Sequence, residues 1–164
     1  LASRGDVKTD SPLWDKILLS CFWFLHYFAV YYFAGLGEKG AGKLNALYWA
    51  GLISVIIAGY ITLRATLENT YLESTARLQK DRNQRVCTTG PYAVVRHPAY
   101  ISIIINCIGL SLIFPYALCI LCCGAIALII VVRTSLEDKM LLGGLEGYGE
   151  YAAKVKYRLI PFIW

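Results

Sequence analysis

The sequence predicts an all-α, multi-pass membrane protein with about four transmembrane helices and a C-terminal helical segment on the aqueous side. Three observations carry this. Of the 164 residues, 57% are hydrophobic and only 16% charged, against about 45–50% and about 25% in soluble domains. The excess is gathered into four long apolar runs rather than spread along the chain. The polar residues concentrate in the connections between those runs. A chain of this length is expected to form one unit, a single membrane domain over 1–164. Residues 1–85 supply the first spans and a loop, and 86–164 the later spans and the tail.

Residues 1–16 are a polar lead-in, with Ser11-Pro12 as a helix start because proline is tolerated in the first turn. The opening residue is Leu1 rather than Met, which suggests a processed or trimmed chain. Residues 1–12 are mixed in charge and do not resemble a signal peptide. From Ile17 to Leu36 the chain is apolar and aromatic except for Ser20 and His26. That run is about 30 Å of helix, the thickness of the hydrocarbon core. His26 is a candidate relay or ligand residue inside it, although a lone histidine facing another helix is the commoner case.

Gly35 to Gly40 spells GxGxxG, but it lies between two spans rather than between a strand and a helix, so it reads as a turn. A second span covers Asn45–Leu63, and 64–96 is polar, with Leu67–Gln79 expected to prolong the second helix into water. The third span starts at Pro98, proline at the first helical position, and reaches Phe114. After the Phe114-Pro115-Tyr116 break, a fourth runs from Ala117 to Val132. The last two spans are short and are expected to form a close hairpin through Gly109, Ser111, Gly124 and Ala125. The tail from Arg133 begins as a helix, is interrupted at Gly143-Gly144 and Gly147, and resumes with Tyr148, Tyr151 and Val155 at helical spacing.

Arginine and lysine number three in the lead-in, two in the first connection, six in the long loop, none in the Phe114–Tyr116 turn and five in the tail. The positive-inside rule then places both termini and the 64–97 loop in the cytoplasm. The net charge of +5 is spread between apolar runs, whereas nucleic-acid binding calls for a clustered basic face with interleaved aromatics. Cys119-x-x-Cys122 lies within a span, with no histidine or second such pair nearby. It therefore reads as small packing residues rather than as a metal site, and no metal is expected. Cys87 is the one cysteine in a polar segment.

The densest chemistry lies in Gly90–Tyr100. Gly90-Pro91 sets a turn, and His97 is held out of the helical region by the proline that follows it. Arg96 and His97 are thereby displayed at the positive end of the third span, where an anion is favoured. Tyr92 and Tyr100 offer faces for an adenine ring or a cation. On the tail, Glu137 and Asp138 suit ribose hydroxyls or an amino group, and Arg133 suits Glu137 or a substrate anion. A ligand with a carboxylate, an ammonium, a sugar and an aromatic base matches this set. S-adenosylmethionine has all four, although composition alone does not single it out.

Thr88-Thr-Gly-Pro-Tyr-Ala-Val-Val-Arg-His-Pro-Ala-Tyr100 resembles the signature of the integral-membrane methyltransferases that include the isoprenylcysteine carboxyl and phospholipid methyltransferases. Arg133-Thr-Ser-Leu-Glu-Asp138, Gly147-Tyr-Gly-Glu-Tyr151 and Arg158-Leu-Ile-Pro161 are similar to that family in order and spacing. The resemblance covers Val86–Trp164, and it implies that 86–164 is the cofactor-binding and catalytic half. It implies an S-adenosylmethionine-dependent enzyme whose cofactor is enclosed between the loop before span three and the tail. His97, Pro98 and Tyr100 would line the site with Arg96 nearby and Tyr92 alongside. Glu137 matches the first of the family's paired acids, and Asp138 stands where glutamate is more usual. Arg133, Glu137 and Arg158 are the candidate catalytic residues.

The implied acceptor is lipophilic, above all the carboxylate of an isoprenylcysteine-like substrate. A phospholipid amine and a small thiol are the alternatives within the family. Membrane lipids are the other expected partners. A sterol-reductase-like enzyme using NADPH and a non-catalytic membrane interaction protein are the readings outside it.

Overall fold

The computed structural model describes residues 11–37 and 44–164. The first ten residues, and the second half of the Gly35–Gly40 turn, lie outside the described residues. Among those described there is no strand, in keeping with the predicted all-α class. Helix α1 runs Leu13–Leu36, α2 Ala46–Glu68, α3 Pro98–Ile113, α4 Ala117–Gly144 and α5 Tyr148–Lys154. Three of them, α1, α2 and α4, are long and apolar enough to cross a membrane, and α3 is a shorter apolar helix. The chain is an integral membrane protein.

Three of the helices start where local chemistry favours it. Pro12, extended at φ −61° and ψ 151°, precedes α1. Asn45 caps α2 by accepting the Tyr48 N–H at 3.0 Å. His97, at φ −126° and ψ 64°, delivers Pro98 to the first position of α3. Within α1, residues Leu25–Ala29 form one π-helical turn, and His26 stacks on Phe22 with ring centres 5.2 Å apart.

The membrane core is built from Leu19, Phe22 and Val30 of α1, Cys107 and Leu110 of α3, and Cys119, Cys123, Ile126 and Ile130 of α4. Its cysteines are free and act as small apolar packing groups. α3 and α4 pack on each other as expected, with Cys107 and Leu110 in one core cluster with Cys119 and Cys123, but the glycines expected in that seam are not there. Gly109 faces α2 instead: a Cβ there would lie 2.8 Å from the Gly51 carbonyl oxygen, and one at Gly51 would lie 2.7 Å from that of Gly109. The two glycines let these backbones cross at contact distance. Gly124 has nothing near it, and both it and Ala125 are exposed, on the lipid side of α4.

Of two further boundaries, one agrees with expectation and one differs. The helical start expected for the tail is the unbroken continuation of α4 to Gly144, about 42 Å in all at 1.5 Å per residue, so α4 carries Arg133–Asp138 out of the hydrocarbon layer. The predicted extension of α2 through Gln79 does not form; the helix stops at Glu68. Asn69 turns the chain, its Oδ1 accepting the Tyr71 N–H at 2.9 Å. Gln79 then holds the segment open, donating from Nε2 to the Tyr71 carbonyl and from its N–H to Gln84 Oε1 at 2.8 Å. These side-chain bonds give the backbone partners that a helix would otherwise supply.

Candidate functional site

The loop before α3 and the tail after α5 join directly. The Arg96 N–H donates to the Tyr157 carbonyl at 2.9 Å and the His97 N–H to that of Arg158 at 3.0 Å. Gly90 makes the preceding turn possible. Its φ is +57°, and a Cβ there would lie 2.6 Å from Cγ of Glu68, whose carboxylate accepts from Thr89 Oγ1 at 2.8 Å. Only glycine suits both demands.

Asp138 is the centre of this layer and is fully buried. Its Oδ2 accepts from Arg96 Nη2 at 3.0 Å and from Arg158 Nε at 2.9 Å. Its Oδ1 accepts the Tyr148 hydroxyl at 2.8 Å. Arg96 Nε lies 2.9 Å from Oδ1 and His97 Nε2 lies 3.4 Å from it. The other end of the Arg96 guanidinium donates from Nη1 to the carbonyls of Ala152, Val155 and Lys156 at 3.0–3.3 Å. One cation thus closes the C-terminal end of α5 and neutralises Asp138, matching the polarity of that helix end. Burial, and then the adjoining Asp138 carboxylate, push the Tyr148 hydroxyl well above the usual tyrosine range, so it stays a donor. Tyr151 donates to the Tyr92 carbonyl at 2.7 Å and is likewise pushed up, chiefly by burial.

Above this layer lies a cavity lined by both polar and apolar side chains. Of the residues proposed from sequence, Tyr92, Arg96, His97, Tyr100 and Glu137 line it, whereas Pro98, Asp138, Arg158 and Arg133 do not. Tyr100 donates a short hydrogen bond to Glu137 Oε2. Its ring lies nearly parallel to that of His97, with centres 5.6 Å apart, and the Arg133 guanidinium sits 5.5 Å from its centre. Arg133 does not pair with the residue one turn on. Its Nε and Nη2 reach Asp15 Oδ1 at 2.9 and 2.6 Å, and Nη2 also donates to the Ser74 carbonyl at 2.7 Å.

The opposite wall comes from residues the sequence did not single out, including Tyr71, Glu73, Thr75, Arg77 and Gln79. Glu73, its side chain 1% exposed, takes Arg77 at 3.0 Å and Arg82 at 3.2 Å. Arg77 also reaches Asp81 at 2.8 Å, and its hydrogen bonds are the first cause of the lowered pKa of the Asp81 carboxyl. The only local signal was the spacing of Glu73, Arg77 and Asp81 at four-residue steps, which on its own reads as a helix face.

A second, larger opening lies on the membrane side, lined by Phe22, Trp23 and His26 of α1, Thr62 and Thr66 of α2, Ile103 of α3 and Arg133 of α4. Leu72, Glu73, Ala99 and Tyr100 border both spaces. Among the described residues no group of histidine, cysteine and acidic side chains is placed to hold a metal.

Fold and site together define a helical membrane protein with a small-molecule cavity at its aqueous end, set beside a cleft that opens toward lipid. The isoprenylcysteine carboxyl methyltransferase (ICMT) family model matches residues 50–143, more than half of the chain, and the chain belongs to that family. The matched span reaches back across α2, where no motif was read, includes Arg133–Asp138, and stops before Gly147–Tyr151 and Arg158–Pro161. Membership implies a methyltransferase. A comparison with curated proteins gives no match.

Proposed function

We propose that this protein is an S-adenosylmethionine-dependent methyltransferase whose acceptor is embedded in the bilayer, above all the carboxylate of an isoprenylcysteine-like lipid. The observation that carries this reading is the shared border at Tyr100 between the aqueous-side cavity and the membrane-side cleft. A water-soluble donor and a lipid acceptor need adjoining spaces of these two kinds.

The chemistry of the cavity lining suits such a cofactor. Tyr71, Tyr92 and Tyr100 supply aromatic surface, Leu72, Leu141 and Leu145 apolar surface, and Glu137 an acceptor for hydroxyl or ammonium groups. When bound, the cofactor supplies a methyl group made electrophilic by its sulfonium. A carboxylate acceptor is already deprotonated and needs no general base, so the protein's task is positioning and exclusion of water. Glu137, Tyr100 and His97 would hold the donor side. Arg133 lines the acceptor side with its charge already balanced by Asp15, so it would orient an acceptor headgroup at the edge of the hydrocarbon layer without itself being an unpaired buried charge. Arg158, bound to Asp138, would act on the donor side only through that carboxylate.

The test is incubation of the protein in nanodiscs with labelled S-adenosylmethionine and either prenylcysteine or total lipid extract. Label is expected in a lipid product and released by mild alkali, as a methyl ester is. Alkali-stable label would point to an amine or thiol acceptor, and absence of any transfer would refute the reading.

Orientation follows from the charge asymmetry between connections, which places the 69–97 loop, the tail and the cavity on the cytoplasmic side. Cys87 reports on this, because it borders the cavity while the other five cysteines lie in the membrane helices. A membrane-impermeant maleimide is expected to label Cys87 in inverted vesicles, more slowly when S-adenosylhomocysteine is present, and to leave intact cells unlabelled. Labelling from outside intact cells would reverse the topology.

A further inference from the structure

The first helix carries no motif of the family and lies wholly outside the matched span, yet it reaches the cavity wall through a single buried side chain. Asp15 is fully buried near the start of α1. Its Oδ1 takes Arg133, and its Oδ2 accepts the backbone N–H of Ala76 at 2.9 Å. Arg133 in turn donates to the carbonyl of Ser74 at 2.7 Å. The ion pair therefore grips the chain on both sides of Thr75. This stretch has no helix or strand of its own, so its path is set by whatever holds its backbone.

Three wall residues depend on that grip. Glu73 and Arg77 immediately flank the held segment, and both line the cavity. Thr75 also lines it, is 4% exposed, and its buried Oγ1 has no hydrogen-bond partner among the described residues. A buried hydroxyl left without a partner is unfavourable, and its place in the wall points to a hydrogen bond completed by the ligand. Glu73 and Arg77 are already matched to one another and to Arg82 and Asp81. The wall thus presents compensated charge plus one free hydroxyl, which suits the uncharged nucleoside part of a ligand rather than its ionic end.

We propose that Asp15 is a positioning residue for cofactor binding. Acting through Arg133 and the backbone of Ser74 and Ala76, it holds Thr75 and its neighbours against the nucleoside portion of S-adenosylmethionine. This rests on the cofactor assignment made above, and the experiment separates the two.

Affinity for S-adenosylhomocysteine is measured by calorimetry, and thermal unfolding in detergent alongside it, for the wild type, Asp15→Asn, Thr75→Val and Leu19→Ala. Leu19 is a core residue one turn further along α1 that borders the membrane-side cleft but not the cavity assigned to the cofactor. Leu19→Ala is expected to lower the melting temperature and leave Kd within about twofold. Asp15→Asn is expected to raise Kd about tenfold or more, and Thr75→Val about fivefold with little change in melting temperature, consistent with loss of one hydrogen bond. If Asp15→Asn does not fold because Arg133 is left unpaired, Asp15→Asn/Arg133→Gln carries the same test. That double variant has no unbalanced charge and is expected to show the same rise in Kd.

Unchanged Kd in the folded Asp15 variant, or a rise in Leu19→Ala equal to it, overturns the positioning role and leaves the cofactor assignment standing. Absence of binding by the wild type overturns the cofactor assignment and the positioning role with it.

Discussion

Asp138→Asn is expected to be the most damaging conservative substitution in the chain. The side chain keeps its size, but the charge that balances Arg96 and Arg158 is gone. Breaking a buried pair by removing one partner costs about 3–5 kcal/mol. Here Arg96 is 8% exposed at its side chain and Arg158 32%, so the first cannot regain water without local opening. The expected result is a large fall in thermal stability in detergent, early proteolysis of the tail, and no measurable binding of S-adenosylhomocysteine. Arg158→Ala is expected to do much less, because Arg96 still faces Asp138. Similar losses in both variants would show that the carboxylate is not the shared anchor.

Glu137→Gln is expected to act on binding without acting on folding. Glu137 is only half-buried, lines the cavity, and receives the Tyr100 hydroxyl. A hydrogen bond to a charged group contributes about 1.5–3 kcal/mol, so loss of the charge is expected to weaken S-adenosylhomocysteine binding about 10- to 100-fold. The melting temperature of the unliganded protein should change little. Tyr100→Phe tests the same contact from the other side. It keeps the ring against His97 and beneath Arg133 and removes only the hydroxyl. If Glu137→Gln binds as tightly as wild type, Glu137 does not touch the ligand.

The features legible in the sequence were those written over short distances. Apolar runs located the helices, since length and composition suffice to mark a membrane crossing. Pro98 marked the start of α3, and the charge count placed loop and tail in one layer, where the structure joins Arg96 to Tyr157 and His97 to Arg158. Asp15 was not legible, because nothing in a polar lead-in distinguishes a carboxylate that finds Arg133, 118 positions away. The open course of 69–79 was hidden for a related reason: side chains of Asn69 and Gln79 override a segment whose charge spacing suits a helix. Asp138 reads from sequence as a residue for ribose hydroxyls or an amino group. In the structure its partners are the protein's own arginines, which spacing along one helix does not disclose.

The sharing of one carboxylate between Arg96 and Arg158 also has a consequence for how this layer assembles. The loop brings one cation and the tail the other, and neither segment is fully compensated until α4 presents Asp138 to both. Docking of the loop and docking of the tail are therefore coupled rather than additive. Release of the tail would strip Arg96 of the Ala152, Val155 and Lys156 carbonyls and the N–H groups of Arg96 and His97 of theirs, and release of the loop would orphan the same carbonyls, so loss of one favours release of the second. The cavity floor should consequently open and close as one cooperative unit, with a single protection step in hydrogen exchange shared by residues 92–97 and 148–159.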